Sequence, residues 1–203
     1  MNLSPEFKKI VRALKTPALI QDYLNSIGMR NPDGDILVRS PLSVARERSA
    51  SCMEGALFAV AVCELHGQNA WLVDLKVSPK NTKDVDHVVA VFKQHGHYGA
   101  ISKTNHGVLR YREPIYKTIR ELVLSYFHEY FLDDGTKTLR SYSRLFPVIK
   151  KYGYGWIESK EDLFEIACDL DAFPHLPILP AQAIRTLRKA DAIEISVGRL
   201  TEQ

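Results

Sequence analysis

The sequence predicts an α+β fold in which a helix with no polar face packs on an antiparallel sheet. The stretch from Gly55 to Cys63 contains no charged residue, which is typical of a helix at the centre of a core. Short extended segments follow it, and amphipathic helical segments lie on both sides of that block. At 203 residues the chain fits one domain with a sizeable core. We therefore predict a single domain over residues 1–203, with a core of about 36–114 and helical additions at 4–28 and 115–203.

Two helices are predicted before the central one. A Ser-Pro start at Ser4 is followed by apolar residues at i, i+3, i+4 and i+7, counted from Phe7. A Thr-Pro start at Thr16 opens a second apolar-faced helix, and Gly28 ends it. We interpret residues 36–48 as an irregular approach to the central helix.

The central helix carries the most informative residue of the chain, Cys52. Ser51 and Glu54 have the S-x-x-E spacing of a capping box, which makes Cys52 the first helical residue, and Gly67 ends the helix. A helix N-terminus offers partial positive charge and unpaired N–H groups, which favour a thiolate over a thiol. Because a thiolate attacks acyl groups, Cys52 is a candidate nucleophile. The alternative is a small core residue, as buried cysteines commonly are.

The segments after the central helix predict an antiparallel meander followed by further helices. Four strands are expected, at 70–77, 86–92, 98–102 and 109–112. Their short links make neighbouring strands antiparallel. The later elements are an amphipathic helix from Ile119 to Phe131, a short strand within 139–148, a helix that starts near Ser159 and a last helix from about Ala181.

His87 stands at the start of the second of these strands. A histidine at the mouth of a strand can reach the N-terminus of a helix that packs across the sheet, where it can deprotonate a thiol and later protonate the leaving group. The alternative is a partly exposed histidine with no chemical role. His95 and His97 have a spacing that metal sites also show, but they lie in a predicted turn without nearby carboxylates or thiols. The sequence therefore indicates no cofactor and no metal site.

Composition and charge argue against several classes of protein. The net charge is only +3 and the basic residues are scattered, which argues against nucleic acid as a partner. No uncharged apolar run approaches the ~20 residues of a membrane span, and we recognise no secretory signal. Three cysteines do not form a disulfide framework. We expect Cys63 and Cys168 to be core residues in a reducing compartment, which predicts a cytoplasmic protein.

Taken together, these residues resemble the transglutaminase-like superfamily. The likeness rests on the order of three features: the run Ser51–Ala56 (SCMEGA) at the start of an apolar helix, a strand after Gly67, and His87 at the head of the next strand. Residues 98–105 and 109–114 are similar, more narrowly, to a group of bacterial transglutaminase-like proteins. The resemblance covers about a third of the chain. It implies a papain-like α+β core with a cysteine on a helix and a histidine on a strand.

The resemblance assigns roles to two residues and leaves the third open. Cys52 matches the nucleophile, and His87 matches the general base and acid. Ser102 stands fifteen residues after His87, where the family has an aspartate; a serine accepts a hydrogen bond from imidazole but brings no negative charge. Asn105 lies three residues further, and we favour it as the group that orients His87, with Ser102 as its rival, because Cys-His-Asn is a working variant of the triad. The side chain of Asp86 should point to the opposite face of the strand.

The resulting hypothesis is a cysteine-dependent acyl-transfer enzyme. It would act as an amide or peptide hydrolase, or as a transglutaminase-like acyltransferase, on a peptide, a protein or a small amide. The alternative is a catalytically degenerate binding or scaffold protein of the same fold, which the missing aspartate favours. An active site predicts a low thiol pKa that depends on His87, whereas a degenerate site predicts an ordinary or inert Cys52.

Overall fold

The structure, a computed structural model, describes residues 3–30, 37–78 and 84–202. Its helices are, in chain order, α1 (Pro5–Ala13), α2 (Pro17–Asn25), α3 (Pro41–Glu47), α4 (Cys52–Leu65), α5 (Ile119–Phe127), α6 (Val148–Tyr152), α7 (Phe164–Asp171), α8 (Ala181–Ile184) and α9 (Ala192–Gly198). A short 3-10 helix, Gly155–Glu158, lies between α6 and α7. Within the described ranges, no helix combines the length and the apolar character that crossing a membrane requires.

The strands form one large sheet and one small pair. They are β1 (Gly28–Met29), β2 (Ser49–Ala50), β3 (Ala70–Val77), β4 (His87–Gln94), β5 (His97–Ser102), β6 (Arg112–Tyr116), β7 (Leu139–Ser143) and β8 (His175–Pro177). Strands β1 and β2 pair in parallel, and the other six form a sheet of order β6-β5-β4-β3-β7-β8. Every pair within that sheet is antiparallel. The predicted α+β class with an antiparallel sheet is therefore confirmed.

The two faces of the sheet are covered by different helices. Leu72 and Ile101 lie in an apolar core together with the side chains of α4. Val73 and Val89 point the other way, into a second core that includes Leu122 of α5. Because side chains alternate along a strand, neighbouring residues of one strand belong to different cores. Helix α4 contacts β3, β4 and β5, as expected for a central helix packed on the sheet.

Helix α4 begins with the predicted capping box. The Ser51 hydroxyl accepts a hydrogen bond from the Glu54 N–H (3.3 Å), and the Glu54 carboxylate accepts one from the Ser51 N–H (2.8 Å). The carboxylate is fully buried, and Arg39 and Arg30 both donate to it. Burial raises the pKa of Glu54, but the hydrogen bonds from Arg39 and Ser51 outweigh it and hold that pKa below its ordinary value. A charged network therefore fixes the first turn of α4, where Cys52 stands.

Two predicted segments differ from the structure. Residues 36–48, for which the sequence predicts an irregular approach, contain helix α3 in their described part. The Ser40 hydroxyl accepts from the Ser43 N–H (3.4 Å) and a proline follows in the first turn, so the sequence does contain a start signal here. The fourth strand begins at Arg112 rather than at residue 109, because Leu109 has a φ of +59°, which lies outside the extended region.

The predicted burial of the two structural cysteines is half correct. Cys63 is buried in the core on α4, as predicted. Cys168 is exposed, because Ile166 and Leu170 occupy the buried side of α7 and Cys168 lies between them on the other side. The predicted last helix starts at Ala181 but spans only the single turn of α8, and α9 follows as a separate helix.

Candidate active site

Cys52, His87 and Asn105 line one cavity of about 430 Å3. Cys52 is the first residue of α4, and His87 is the first residue of β4. The cavity therefore lies where the start of the central helix meets the start of a central strand. The structure brings these three sequence-predicted residues to a single site, and it places Ser102 against one of them.

The Cys52 thiol is protonated at rest. Burial raises the pKa of the Cys52 thiol, and Asp74 adds to this rise, against the lowering effect of the backbone N–H groups of Val88 and Met53. The prediction of a low thiol pKa at this helix N-terminus is therefore wrong, because desolvation outweighs the N–H groups. At neutral pH the thiol keeps its proton, and a base must take that proton when the sulfur attacks an acyl group.

His87 lines the same cavity and has the charge state of such a base. Its side chain leaves β4 on the face of the sheet that α5 covers, since it pairs with Leu75, which lies in the α5 core. The ring is buried, and burial, with a smaller effect of His106, lowers the pKa of His87 to about 4. His87 is therefore neutral at pH 7, and a neutral imidazole is the form that accepts a proton.

A hydrogen bond to Ser102 determines which ring nitrogen of His87 is basic. His87 Nε2 lies 2.8 Å from Ser102 Oγ, and the Ser102 hydroxyl donates to the carbonyl of Leu109 at 2.6 Å. Since serine has one O–H, its oxygen can only accept from the imidazole, and Nε2 must carry the ring proton. The basic nitrogen is therefore Nδ1, which makes no hydrogen bond within the described part of the chain.

The carbonyl of Leu109 is itself held in place by a carboxylate. Leu109 adopts the left-handed conformation (φ +59°), which is uncommon for a residue other than glycine. Its N–H donates to Glu129 at 2.8 Å, and Arg112 forms an ion pair with the same carboxylate at 2.6 Å. Glu129 thus fixes the backbone to which Ser102 donates. Among the described residues, no carboxylate makes a hydrogen bond to His87 itself.

Helix α2 holds Ser102 from another side. Gln21 Oε1 accepts from the Ser102 N–H (2.9 Å), and Gln21 Nε2 donates to the Ser102 carbonyl (2.8 Å), so the amide pairs with the end of β5 as a neighbouring strand would. Sequence reasoning missed Gln21, although it lies one turn from both Pro17 and Leu24 on the buried side of α2. No sequence pattern marks Glu129 in a comparable way, since its contact is with a backbone group 20 residues away.

Asn105 lies after the end of β5 and lines the cavity from there. Its backbone carbonyl accepts from the Glu202 N–H at 2.7 Å. No hydrogen bond joins its side chain to His87 in the described ranges, and the orienting contact comes from Ser102, the rival candidate. The reason is the strand register: Ser102 pairs with Val89, two residues along β4 from His87, so both side chains leave the sheet on the same face.

A second histidine contact lies on the opposite face of the same strand pair. Asp74 Oδ2 lies 3.0 Å from His175 Nε2, and His175 Nδ1 donates to the Phe173 carbonyl at 2.6 Å. Asp74 Oδ1 is buried and has no hydrogen-bond partner among the described residues. Burial, followed by the nearby charge of Asp86, raises the pKa of Asp74 to about 6.

Three carboxylates in this second region have the spacing of a cation site. Asp74, Asp86 and Asp171 each place an oxygen within 4.8 Å of the other two. The ammonium group of Lys76 pairs with Asp171, and a backbone N–H donates to Asp86 at 2.8 Å, so both of these carboxylates already have partners in the chain. Asp86 therefore lies close to Asp74, and it also borders the cavity that Cys52 and His87 line.

Comparisons with known proteins identify no family for this chain. No protein-family model matches the sequence, and no curated protein matches it either. The function is therefore inferred from the site alone.

Proposed function

We propose that the protein is a cysteine-dependent acyl-transfer enzyme, with Cys52 as the nucleophile and His87 as the general base and acid. One observation carries the proposal: Cys52 and His87 line the same cavity. The hydrogen bond to Ser102 is consistent with it, because Nδ1 of His87 then has no partner among the described residues and can accept a proton. We also propose that the α4 helix and the sheet form a papain-like core of the transglutaminase type. The start of the nucleophile helix and the start of a histidine-bearing strand meet at the cavity, which supports this.

The first half of the reaction forms a thioester. The Cys52 sulfur attacks the carbonyl carbon of an amide or ester while its proton passes to Nδ1 of His87. The N–H of Cys52, at the start of α4, is a candidate donor to the oxygen that becomes negative. The bond from the carbonyl carbon to the leaving nitrogen or oxygen then breaks, and the leaving group takes the proton from Nδ1.

The second half releases the acyl group. His87 removes a proton from water as the water oxygen attacks the thioester, and the Cys52 thiol leaves with that proton. We favour water as the acceptor because it needs no second pocket; an amine acceptor would make the enzyme a transglutaminase-like acyltransferase. Substrates of this class are peptides, proteins and small amides. The neutral Ser102 stabilises the imidazolium less than a carboxylate would, so we expect modest turnover.

The alternative is a degenerate site on the same fold that binds without catalysis. Two observations favour it: burial raises the pKa of the Cys52 thiol, and a serine contacts His87 where a carboxylate is usual. In that case Cys52 would be inert toward acyl donors as well as toward alkylating agents. One result therefore distinguishes the two functions: an enzyme transfers an acyl group to Cys52 with the help of His87, and a binding protein does not.

Acylation of Cys52 is the direct test. The chain is mixed with p-nitrophenyl acetate, the release of nitrophenolate is followed, and the acylated residue is identified by mass spectrometry of peptides. We expect an acetyl thioester at Cys52, and we expect its formation to be lost in Cys52→Ala and greatly slowed in His87→Ala.

The matched control is Cys168→Ala, which removes an exposed thiol away from the cavity and should leave acylation unchanged. Equal acylation of the Cys52→Ala variant would refute the proposed enzyme. An unreactive wild-type chain with intact structure would favour the binding protein.

A further inference from the structure

A short stretch of backbone beside the proposed active site already behaves as a strand partner. We call residues 105–107 the loop edge and residues 199–202 the strap. The two form the bonds of an antiparallel pair: the Gly107 N–H donates to the Leu200 carbonyl (2.7 Å), the Glu202 N–H donates to the Asn105 carbonyl (2.7 Å), and His106 lies opposite Thr201. The loop edge therefore offers one N–H and one carbonyl to an extended chain.

The strap is held with little buried surface. All four of its residues are exposed, and Leu200 keeps 63% of its surface accessible. Besides the backbone bonds, two ion pairs hold it within the described residues, between Arg110 and Glu202 (2.6 Å) and between Arg199 and Asp133 (2.9 Å). Ion pairs at an exposed surface contribute little, and a segment without buried apolar contacts opens readily. A chain from another molecule can therefore compete with the strap.

The strap and the residues before it also border the cavity. Arg199, together with Ile195 and Gly198 of α9, lines the same space as Cys52 and His87. A polypeptide that paired with the loop edge in place of the strap would consequently run along this cavity. Its backbone would lie beside the two side chains to which the proposed function assigns the chemistry.

We propose that the loop edge binds an extended segment of a polypeptide substrate, and that the strap occupies this edge in the free protein. The inference rests on the proposed function and narrows its substrate from any amide to a polypeptide with an extended backbone. Pairing through N–H and carbonyl groups supplies affinity by strand addition, with little dependence on the bound side chains. The strap competes as a tethered ligand, so it weakens binding of any peptide in solution.

The test measures peptide binding in the absence of turnover. A fluorescent, capped peptide with the sequence of residues 197–202 is titrated with the Cys52→Ala variant of the 203-residue chain. Glu202→Pro in that background removes the N–H that the strap donates to Asn105, whereas Glu202→Gln removes only the ion pair with Arg110. We expect the Glu202→Pro chain to bind the peptide about 10-fold more tightly than the parent, and the Glu202→Gln chain to stay within about 2-fold.

Methylated peptides give the matched control for the backbone bond. Methylation of the peptide nitrogen that corresponds to Glu202 removes the donor to Asn105, and we expect about 10-fold weaker binding to the Glu202→Pro chain. Methylation at the Thr201 nitrogen, which takes no part in the pairing, should cost far less. Equal binding of the two methylated peptides, or equal binding by the parent and the Glu202→Pro chain, would overturn the inference. Failure of Cys52 acylation would instead refute the proposed function, since peptide binding is measured without it.

Discussion

The strand pair β3–β4 has a histidine contact on each of its two faces. The two histidines differ in how many of their ring nitrogens lack a hydrogen-bond partner among the described residues. His87, on the α5 face, donates Nε2–H to Ser102 and keeps Nδ1 free among the described residues. His175 contacts Asp74 on the α4 face and uses both nitrogens, because Nδ1 donates to a backbone carbonyl. A histidine that exchanges protons needs a free nitrogen, whereas one with both nitrogens bound links parts of the structure.

The two regions also differ in the charge of the partner. Ser102 is neutral, so nothing offsets the cost of charging the buried His87, and its pKa falls to about 4. Asp74 is itself ionisable, and burial raises its pKa to about 6. Burial therefore favours the neutral form in both regions, but this moves the pKa of a base down and the pKa of an acid up. At pH 7 the same physical cause keeps His87 neutral, whereas Asp74 gains its proton only as the pH falls toward 6.

Exchange of each histidine for asparagine is the strongest test of this contrast. His87→Asn removes the base, and we expect kcat/KM for p-nitrophenyl acetate to fall about 1,000-fold. His175→Asn removes a link outside the cavity, and we expect a change of less than about 3-fold. Steady-state kinetics, with circular dichroism to verify folding, measure both. Similar losses in the two variants would break the distinction between a reacting and a structural histidine.

The pH dependence of stability should have opposite signs in the two regions. Between pH 6.5 and 4 the unfolded chain protonates His87 and the folded chain does not, so this residue lowers the free energy of unfolding as the pH falls. Between pH 6 and 4 the folded chain protonates Asp74 and the unfolded chain does not, so this residue raises the free energy of unfolding as the pH falls. The two contributions largely cancel in the wild type.

Single substitutions should reveal these opposite slopes. From pH 7 to pH 4.5, we expect the stability of His87→Gln to rise by about 2 kcal/mol relative to the wild type, and that of Asp74→Asn to fall by a similar amount. Urea unfolding at the two pH values measures this change. Parallel curves for wild type and variants would show that the two groups titrate alike in the folded and unfolded chains.

Ser102→Ala tests whether the Ser102 hydroxyl orients the His87 ring. Loss of the acceptor frees Nε2, so the ring proton is shared between both nitrogens and part of the population loses its basic Nδ1. We expect kcat/KM to fall about 10-fold, which corresponds to one hydrogen bond. Nitrogen-15 NMR of labelled histidine should show the Nε2–H tautomer in the wild type and a mixture in the variant. An unchanged tautomer would mean that Ser102 does not orient His87.

Glu129→Gln should have the smallest effect. The variant retains an oxygen for the Leu109 N–H but loses its charge toward Arg112, so the support of Ser102 loosens without breaking. We expect kcat/KM to fall about 3-fold. Glu121→Gln is the matched control, since Glu121 accepts from a backbone N–H in the same way but does so at the other end of α5. Equal effects of the two substitutions would remove the special role of Glu129.

Local signals in the sequence predicted the elements that carry the two reacting side chains. Strand β3 has the predicted bounds, Ala70–Val77, and the box of Ser51 and Glu54 places Cys52 at the first turn of α4. His87 heads β4, one residue from the predicted start. Capping and alternation depend on residues close together in the chain, so the sequence expresses them directly.

Contacts across the fold could not be predicted in this way. Gln21 binds Ser102 from 81 residues away, and the two partners on the α4 face, Asp74 and His175, are 101 residues apart. The choice between Ser102 and Asn105 depends on the register of β4 against β5, which local patterns do not fix. The low thiol pKa was wrongly predicted because the helix N–H groups can be read from the sequence, whereas the degree of desolvation depends on packing.

The absence of a polar face on α4 determines when the core can close during synthesis. The core that contains α4 includes residues that precede it, such as Phe7 and Leu24, and residues that follow it as far as Leu170. When synthesis has just completed α4, only some of the residues that bury this helix in the folded protein have therefore been made. At about 5–20 residues per second, the remaining cover takes roughly 5–20 s to emerge. During that interval the segment is a target for chaperones, and the Cys63 thiol is open to oxidants that the folded protein excludes.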